Sequence, residues 1–144
     1  MGSRIQAEEI SFLLADVSRL MRQAYQREAR AQPLTLAQAR ALVYVERHEG
    51  LCQRELAQLL EVQPMTLAKL LDQLAALDLI ERRADPKDRR AFRIHLRPQA
   101  QTQLAAVGKL AQRIRGRALE GLSAEQTQAL ADTLLHMRSR LSQR

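Results

Sequence analysis

Ile10, Leu13, Leu14, Val17, Leu20, Met21 and Ala24 recur at spacings of three and four. That spacing gathers them on one helical face and predicts an amphipathic helix over roughly residues 8–30. Gln32-Pro33 closes it, because the residue before a proline avoids the helical region. Thr35 is placed to cap a second helix, about 36–48, with Gln38 at the capping-box position and Gly50 as the stop. Cys52-Gln53-Arg54-Glu55 opens a short helix that runs through Leu60. Pro64 suits the first turn of the next helix, whose buried stripe is Leu67, Leu70, Leu71, Leu74 and Leu77.

After Leu79 the period changes from three-and-four to two. Ile80-Glu81-Arg82-Arg83 and Phe92-Arg93-Ile94-His95-Leu96 read as strands, with Phe92, Ile94 and Leu96 on one face and Arg93, His95 and Arg97 on the other. Asp85-Pro86-Lys87-Asp88-Arg89-Arg90 between them has turn chemistry, so the pair is a β-hairpin with a charged tip. Pro98 opens a long helix containing Leu104, Val107, Ala111, Ile114 and Ala118. Ser123 and Gln126 form a capping box for a last helix with Leu130, Leu134, Met137 and Leu141.

The order of these elements decides the fold class. Two short helices joined by Leu60-Glu61-Val62-Gln63 make a helix-turn-helix, and a hairpin directly after it makes the motif winged. The expectation is a mostly α, α+β fold: a winged helix-turn-helix with long N- and C-terminal dimerisation helices. With no internal repeat and no dividing linker, residues 1–144 read as a single domain. Within it, 35–97 would be the DNA-binding lobe, and 8–30 and 98–141 the helices of a dimer interface.

Composition agrees and adds a partner. Ala, Leu and Gln are abundant and aromatics few, which favours helix over strand. Lys and Arg number 23 against 16 acidic residues, a net charge of +7 that favours an anionic partner, nucleic acid before a membrane surface. The charge is uneven: residues 51–80 hold 2 basic and 4 acidic residues, net −2, while 81–97 hold 7 and 3, net +4. A single cysteine, Cys52, excludes an internal disulfide framework. Met1-Gly2-Ser3-Arg4 opens without an apolar run of signal-peptide length, and no stretch has the ~20 apolar residues of a membrane span. A cytoplasmic protein without membrane attachment is the expectation.

Gln53-Arg54-Glu55-Leu56-Ala57, Met65-Thr66-Leu67, Leu70-Leu71-Asp72-Gln73-Leu74, Leu79-Ile80-Glu81-Arg82 and Asp85-Pro86-Lys87-Asp88-Arg89-Arg90 together resemble the MarR family of bacterial transcription regulators. The motifs span about residues 51–97, and the helix order extends the resemblance over nearly the whole chain. It implies a triangular homodimer with a DNA-binding lobe on each subunit. It also implies a repressor of a pseudo-palindromic operator, released by a small aromatic or anionic effector held between lobe and dimer region. This chain departs from the family pattern at three cap positions. Cys52 and Gln63 stand where the family commonly has a hydroxyl residue, and Arg97 stands where many members have Thr.

The residues that the apolar stripe leaves outward on the recognition helix are Pro64, Met65, Thr66, Ala68, Lys69, Asp72 and Gln73. Met65 or Thr66 can meet a thymine methyl, and Gln73 an adenine or a phosphate. Lys69 is the one cation on that face. In the hairpin, Lys87, Arg89 and Arg90 offer charge to a narrow minor groove. The resemblance implies that Asp88 holds the arginine, Arg90, that enters it. Each of these residues has a plainer reading as a solvated surface. Lys109, Arg113, Arg115 and Arg117 of the long helix read instead as solvated surface or interhelical pairs and not as DNA contacts.

Other chemistry is sparse. Cys52 at a helix start permits a redox switch, against the plainer reading of a small residue filling a cap. His48 and Cys52 lie four apart without further ligands, and no metal or cofactor is expected. Met21, Tyr25 and Tyr44 are candidate walls of the effector crevice that the resemblance implies between the first, second and fifth helices. No Gly-rich phosphate loop or nucleophile motif supports an enzyme. The alternative from another class is a helical protein–protein interaction module, an antirepressor that has lost specific DNA binding.

Overall fold

The structure, a computed structural model, describes residues 6–143; the Met1–Arg4 opening lies outside the described residues. Among the described residues, six α-helices and one two-stranded antiparallel sheet follow in the order α1 (Ala7–Glu28), α2 (Leu36–Arg47), α3 (Gln53–Leu60), α4 (Pro64–Ala76), β1 (Ile80–Ala84), β2 (Phe92–Leu96), α5 (Ala100–Ala118) and α6 (Ala124–Ser142). A 3-10 turn over Ala29–Ala31 joins α1 to the Pro33 bend. The mostly α winged helix-turn-helix is therefore the observed fold.

Local chemistry sets the helix ends. Thr35 Oγ1 accepts from the Gln38 N–H at 3.2 Å while Gln38 Oε1 accepts from the Thr35 N–H at 3.0 Å, a complete capping box. Ser123 and Gln126 repeat it at the start of α6, at 3.1 and 2.9 Å. Pro64 occupies the first turn of α4, where its missing N–H leaves no bond unmade. Cys52 and Gln63 are the N-cap residues of α3 and α4, and neither side chain makes a cap bond. Arg97 is not the cap of α5; that position falls to Gln99. Helix α2 ends at Arg47, with His48 as its C-cap, before Gly50 is reached. Gly50 has φ +87°, a left-handed conformation that glycine adopts without a Cβ penalty.

The core lies where α2, α3, α4 and the hairpin meet. Leu67, Leu71 and Leu74 of α4 are fully buried, and they share the core with Leu42 and Val45 of α2 and Leu56 of α3. Each such side chain withdrawn from water contributes about 1.5–3 kcal/mol. The expected stripe is narrower than the spacing suggested, since Leu70 is half-buried and Leu77 exposed. Helix α4 stops at Ala76, Asp78 turns left-handed at φ 58°, and Leu79 enters the core in place of Leu77.

Ile80 pairs with Leu96, Arg82 with Ile94 and Ala84 with Phe92. Opposed residues of an antiparallel pair share a face, so Ile80 and Ile94 plug the hairpin into the core. Phe92 shares that face but is exposed, being at the distal end of the pair. The free side of β2 is covered by the α2–α3 connection. Gly50 N–H donates to the Ile94 carbonyl at 2.9 Å and Ile94 N–H to the Leu51 carbonyl at 3.0 Å.

Helix α5 buries Leu104, Val107, Leu110 and Ile114, and packs on α1 and α2. Ala111 is half-buried and Ala118 exposed. The terminal helices behave differently. Helix α1 buries only Ala24 and Tyr25, and α6 buries nothing. Ile10, Leu13, Leu14, Val17, Ser18 and Met21 line an open groove with Leu130 and Leu134, about 630 Å³ in volume.

A hydroxyl in place of the Cys52 thiol would supply the missing cap of α3. Cys52→Ser is expected to keep the fold and raise its unfolding free energy by about 0.5–1 kcal/mol, read by urea denaturation. A loss of stability would show that packing of the thiol, and not its capping, governs the position.

Candidate nucleic-acid interface

Burying Leu67, Leu71 and Leu74 turns the opposite side of α4 to solvent. Pro64, Met65, Thr66 and Lys69 are exposed there, Met65 at 85%. An apolar side chain left that bare at a helix start is free to meet another surface. Ala68 is half-buried. Two of the residues read from sequence as outward are engaged within the chain. Gln38 Nε2 donates to Gln73 Oε1 at 3.0 Å, which turns the Gln73 amide toward α2. Asp72 Oδ1 accepts from Arg82 at 2.7 Å.

The wing loop is ordered by its own aspartates. Asp85 Oδ1 accepts from the Lys87 N–H and Asp88 Oδ1 from the Arg90 N–H, both at 2.9 Å. Asp88 thus meets Arg90 through the backbone N–H of that residue. Asp85 makes the ion pair of the loop, at 3.2 Å with Arg93, whose guanidinium also donates to the Gly50 carbonyl at 2.8 Å. Arg83 pairs with Glu81 at 2.6 Å. Chiefly through its hydrogen bond from Arg83, the Glu81 carboxyl is held below the ordinary range.

These pairs consume Arg82, Arg83 and Arg93. Lys87, Arg89 and Arg90 are exposed and carry no ion pair among the described residues. The wing tip is therefore an unneutralised cationic point on a rigid two-strand support. An open cleft of about 470 Å³ separates it from the helix-turn-helix, lined by Cys52, Gln53, Arg54, Pro64, Asp88, Arg90, Ala91 and Phe92. Sequence reasoning missed Arg54 and Phe92 in this setting. The available signal for Arg54 was its place in the first turn of α3, facing solvent.

Residues 32–91 match the MarR family model. That match takes in α2, α3, α4, β1 and the wing turn. Similar solved structures include that of the transcriptional regulator SlyA, 26% identical, covering 93% of this chain and 94% of that one, with a TM-score of 0.75. A MarR-family regulator from Rhodococcus sp. RHA1 is 25% identical, covers 94% and 96% of the two chains, and gives a TM-score of 0.77. A family member from Silicibacter pomeroyi has the same fold at 24% identity, with 98% and 99% coverage and a TM-score of 0.81. This chain shares the winged helix-turn-helix fold of those regulators. No helix among the described residues is long and apolar enough to cross a membrane.

Away from the lobe's outer face, Tyr25 and Tyr44 line one small cavity of about 160 Å³ between α1, α2 and α5. Leu36, Ala39, Arg40, Val43, Val107 and Ala111 complete it. Met21 is not among its walls; it lines the groove between α1 and α6. Arg40 was not anticipated, and its guanidinium lies 5.9 Å from the centre of the Tyr44 ring. Tyr25 Oη is buried without a hydrogen-bond partner, and burial raises the phenol above its ordinary value of 10.0. No three His, Cys, Asp or Glu side chains among the described residues gather as metal ligands.

An orphaned buried hydroxyl is costly, so Tyr25→Phe is expected to stabilise the MarR-type fold by up to about 1 kcal/mol at neutral pH. The raised phenol pKa sets the sign at high pH. The folded chain keeps the proton that the unfolded chain gives up, so this contribution holds below the unfolded value and is lost as pH rises through the folded one. Urea denaturation from about pH 8 to about pH 11 should show wild type losing stability relative to Tyr25→Phe only above about pH 10. A constant difference across that range would mean that Tyr25 reaches water.

Proposed function

We propose that this protein is a DNA-binding transcription regulator, a cytoplasmic homodimeric repressor that holds a pseudo-palindromic operator and is released by a small aromatic or anionic effector. The observation that carries the DNA-reading assignment is the contrast of charge. Residues 51–80 are net −2 and residues 81–97 net +4, with Lys87, Arg89 and Arg90 left unpaired among the described residues. A helix-turn-helix that is itself acidic gains affinity for a duplex from elsewhere, and the wing tip beside it is the source.

In this reading residues 35–97 form the lobe that meets DNA. Pro64, Met65, Thr66 and Lys69 face the major groove, while Arg90, with Lys87 and Arg89 beside it, enters the minor groove. Asp88 shapes the turn that presents Arg90. Gln73 serves the lobe through Gln38 and not through a base. Residues 8–30 and 98–141 carry the dimer, because the groove of Ile10, Leu13, Leu14, Val17, Leu130 and Leu134 leaves an apolar surface that a second copy would cover. The effector site is the cavity of Tyr25, Arg40 and Tyr44, whose apolar walls, unpartnered hydroxyl and guanidinium suit a small aromatic anion. Met21 lies outside that cavity and lines a neighbouring pocket of about 380 Å³ with Ile114 and Arg117 of α5.

Sedimentation at micromolar concentration is expected to find a dimer, dissociated by Val17→Glu; a stable folded wild-type monomer would refute the interface. Fluorescence anisotropy across a salt series, on a duplex the protein selects from a random pool, tests the wing. Arg90→Ala should weaken binding by about 1–3 kcal/mol per half-site. Lys69→Ala should cost less and lower the salt slope by about one. Equal binding by Arg90→Ala and wild type, with most affinity lost in Lys69→Ala, would place the dominant contact on the helix instead.

A further inference from the structure

Arg82 occupies an inward position of the hairpin, opposite Ile94, where its neighbours on the same face are apolar. Its side chain is 25% exposed. Nη2 donates to Asp72 Oδ1 at 2.7 Å and to the Ala68 carbonyl at 3.3 Å, one helical turn apart on α4. Nε reaches Gln53 Oε1 at 3.4 Å, in the first turn of α3. One planar group thereby spans both helices of the helix-turn-helix from the first strand of the wing. The remaining side-chain contacts between α4 and the hairpin core are apolar and non-directional, so they fix which face of α4 is buried but set its angle and sliding against the wing weakly. A guanidinium fork is directional and does set them. Asp72 is 69% exposed, and a pair with so open a partner adds little to global stability. Its consequence is geometric.

We propose that Arg82 is a positioning residue for operator reading: it locks the recognition helix to the wing through Asp72 and the Ala68 carbonyl, and Asp72 serves this lock and not the DNA. The proposal rests on the DNA-reading assignment above. It reverses the sign that charge alone predicts. A free carboxylate on the DNA side of α4 repels phosphates, so Asp72→Asn would tighten binding to every duplex. As half of a lock, the same change loosens the angle between helix and wing, and discrimination between sequences falls.

Two measurements on the full chain test it. Nitroxides at Met65→Cys and Ala84→Cys, in a Cys52→Ser background and diluted into unlabelled protein, report the distance from recognition helix to wing without DNA. A single narrow distribution is expected, broadened in Arg82→Gln and in Asp72→Asn and partly restored in Arg82→Lys, which reaches Asp72 but lacks the fork. Anisotropy then compares the duplex that wild type selects from a random pool with a shuffled duplex of the same length and composition. The affinity ratio should fall by about tenfold in either single variant and no further in the double variant, with the salt slope on the selected duplex unchanged. Unchanged distances in both variants overturn the lock. So does equal loss on both duplexes with a slope lowered by about one, the mark of a phosphate contact. Tighter binding of both duplexes by Asp72→Asn also overturns it. A pool from which wild type selects nothing would defeat the operator reading, and the distance measurement would then decide the lock by itself.

Discussion

Burial of one helical stripe governs the rest of the molecule. Leu67, Leu71 and Leu74 cannot leave the core they share with Leu42, Val45 and Leu56, and that fixes the rotation of α4 about its axis. Once the rotation is set, Pro64, Met65, Thr66 and Lys69 face outward without further instruction. The hairpin is set by the same core through Ile80 and Ile94, and its outer strand is tied to Gly50 and Leu51 by backbone bonds. Reading helix and wing are thus two exposed sides of one packed unit.

Charge is distributed by consumption as much as by composition. The wing segment is strongly basic, yet Arg82, Arg83 and Arg93 are engaged with Asp72, Glu81 and Asp85. Besides Arg97 after β2, what remains for a polyanion is Lys87, Arg89 and Arg90, in a turn braced by two aspartate side chains. Bracing matters because a contact made by a pre-ordered loop loses less entropy on binding than one made by a mobile loop. The same aspartates lower the net charge of the wing, so affinity is exchanged for a defined shape.

The opposite end of the chain is left incomplete. Helices α1 and α6 carry regular apolar stripes with almost nothing buried under them, while α5 is well packed against α1 and α2. Arg117 of α5 bonds Glu28 of α1, linking these two helices at their C-terminal ends. The small cavity beside Tyr25 lies at the junction of α1 and α5 with α2, one helix away from the recognition helix through the Gln38–Gln73 bond. Anything that shifts α2 there is felt at α4 by contact.

Local signals located the six α-helices and both strands of the described residues, because amphipathic spacing, Pro64, and the Thr35 and Ser123 capping boxes act within a few residues and no distant contact overrides them. The wing motif and the excess of arginine were legible for the same reason. Four things were decided by tertiary structure. Leu77 left the stripe because the chain turns left-handed at Asp78 and Leu79 fills the core instead. Gln73 and Asp72 ceased to be free outward groups because Gln38 and Arg82, 35 and 10 residues away, reach them. Arg82 shares the inward face of β1 with Ile80 and Ala84, and its partners on α3 and α4 follow from how the hairpin packs on those helices, which sequence spacing does not specify. Met21 fell outside the cavity of Tyr25 and Tyr44 because helical spacing gives a face, whereas a cavity wall depends on which neighbouring helix that face meets.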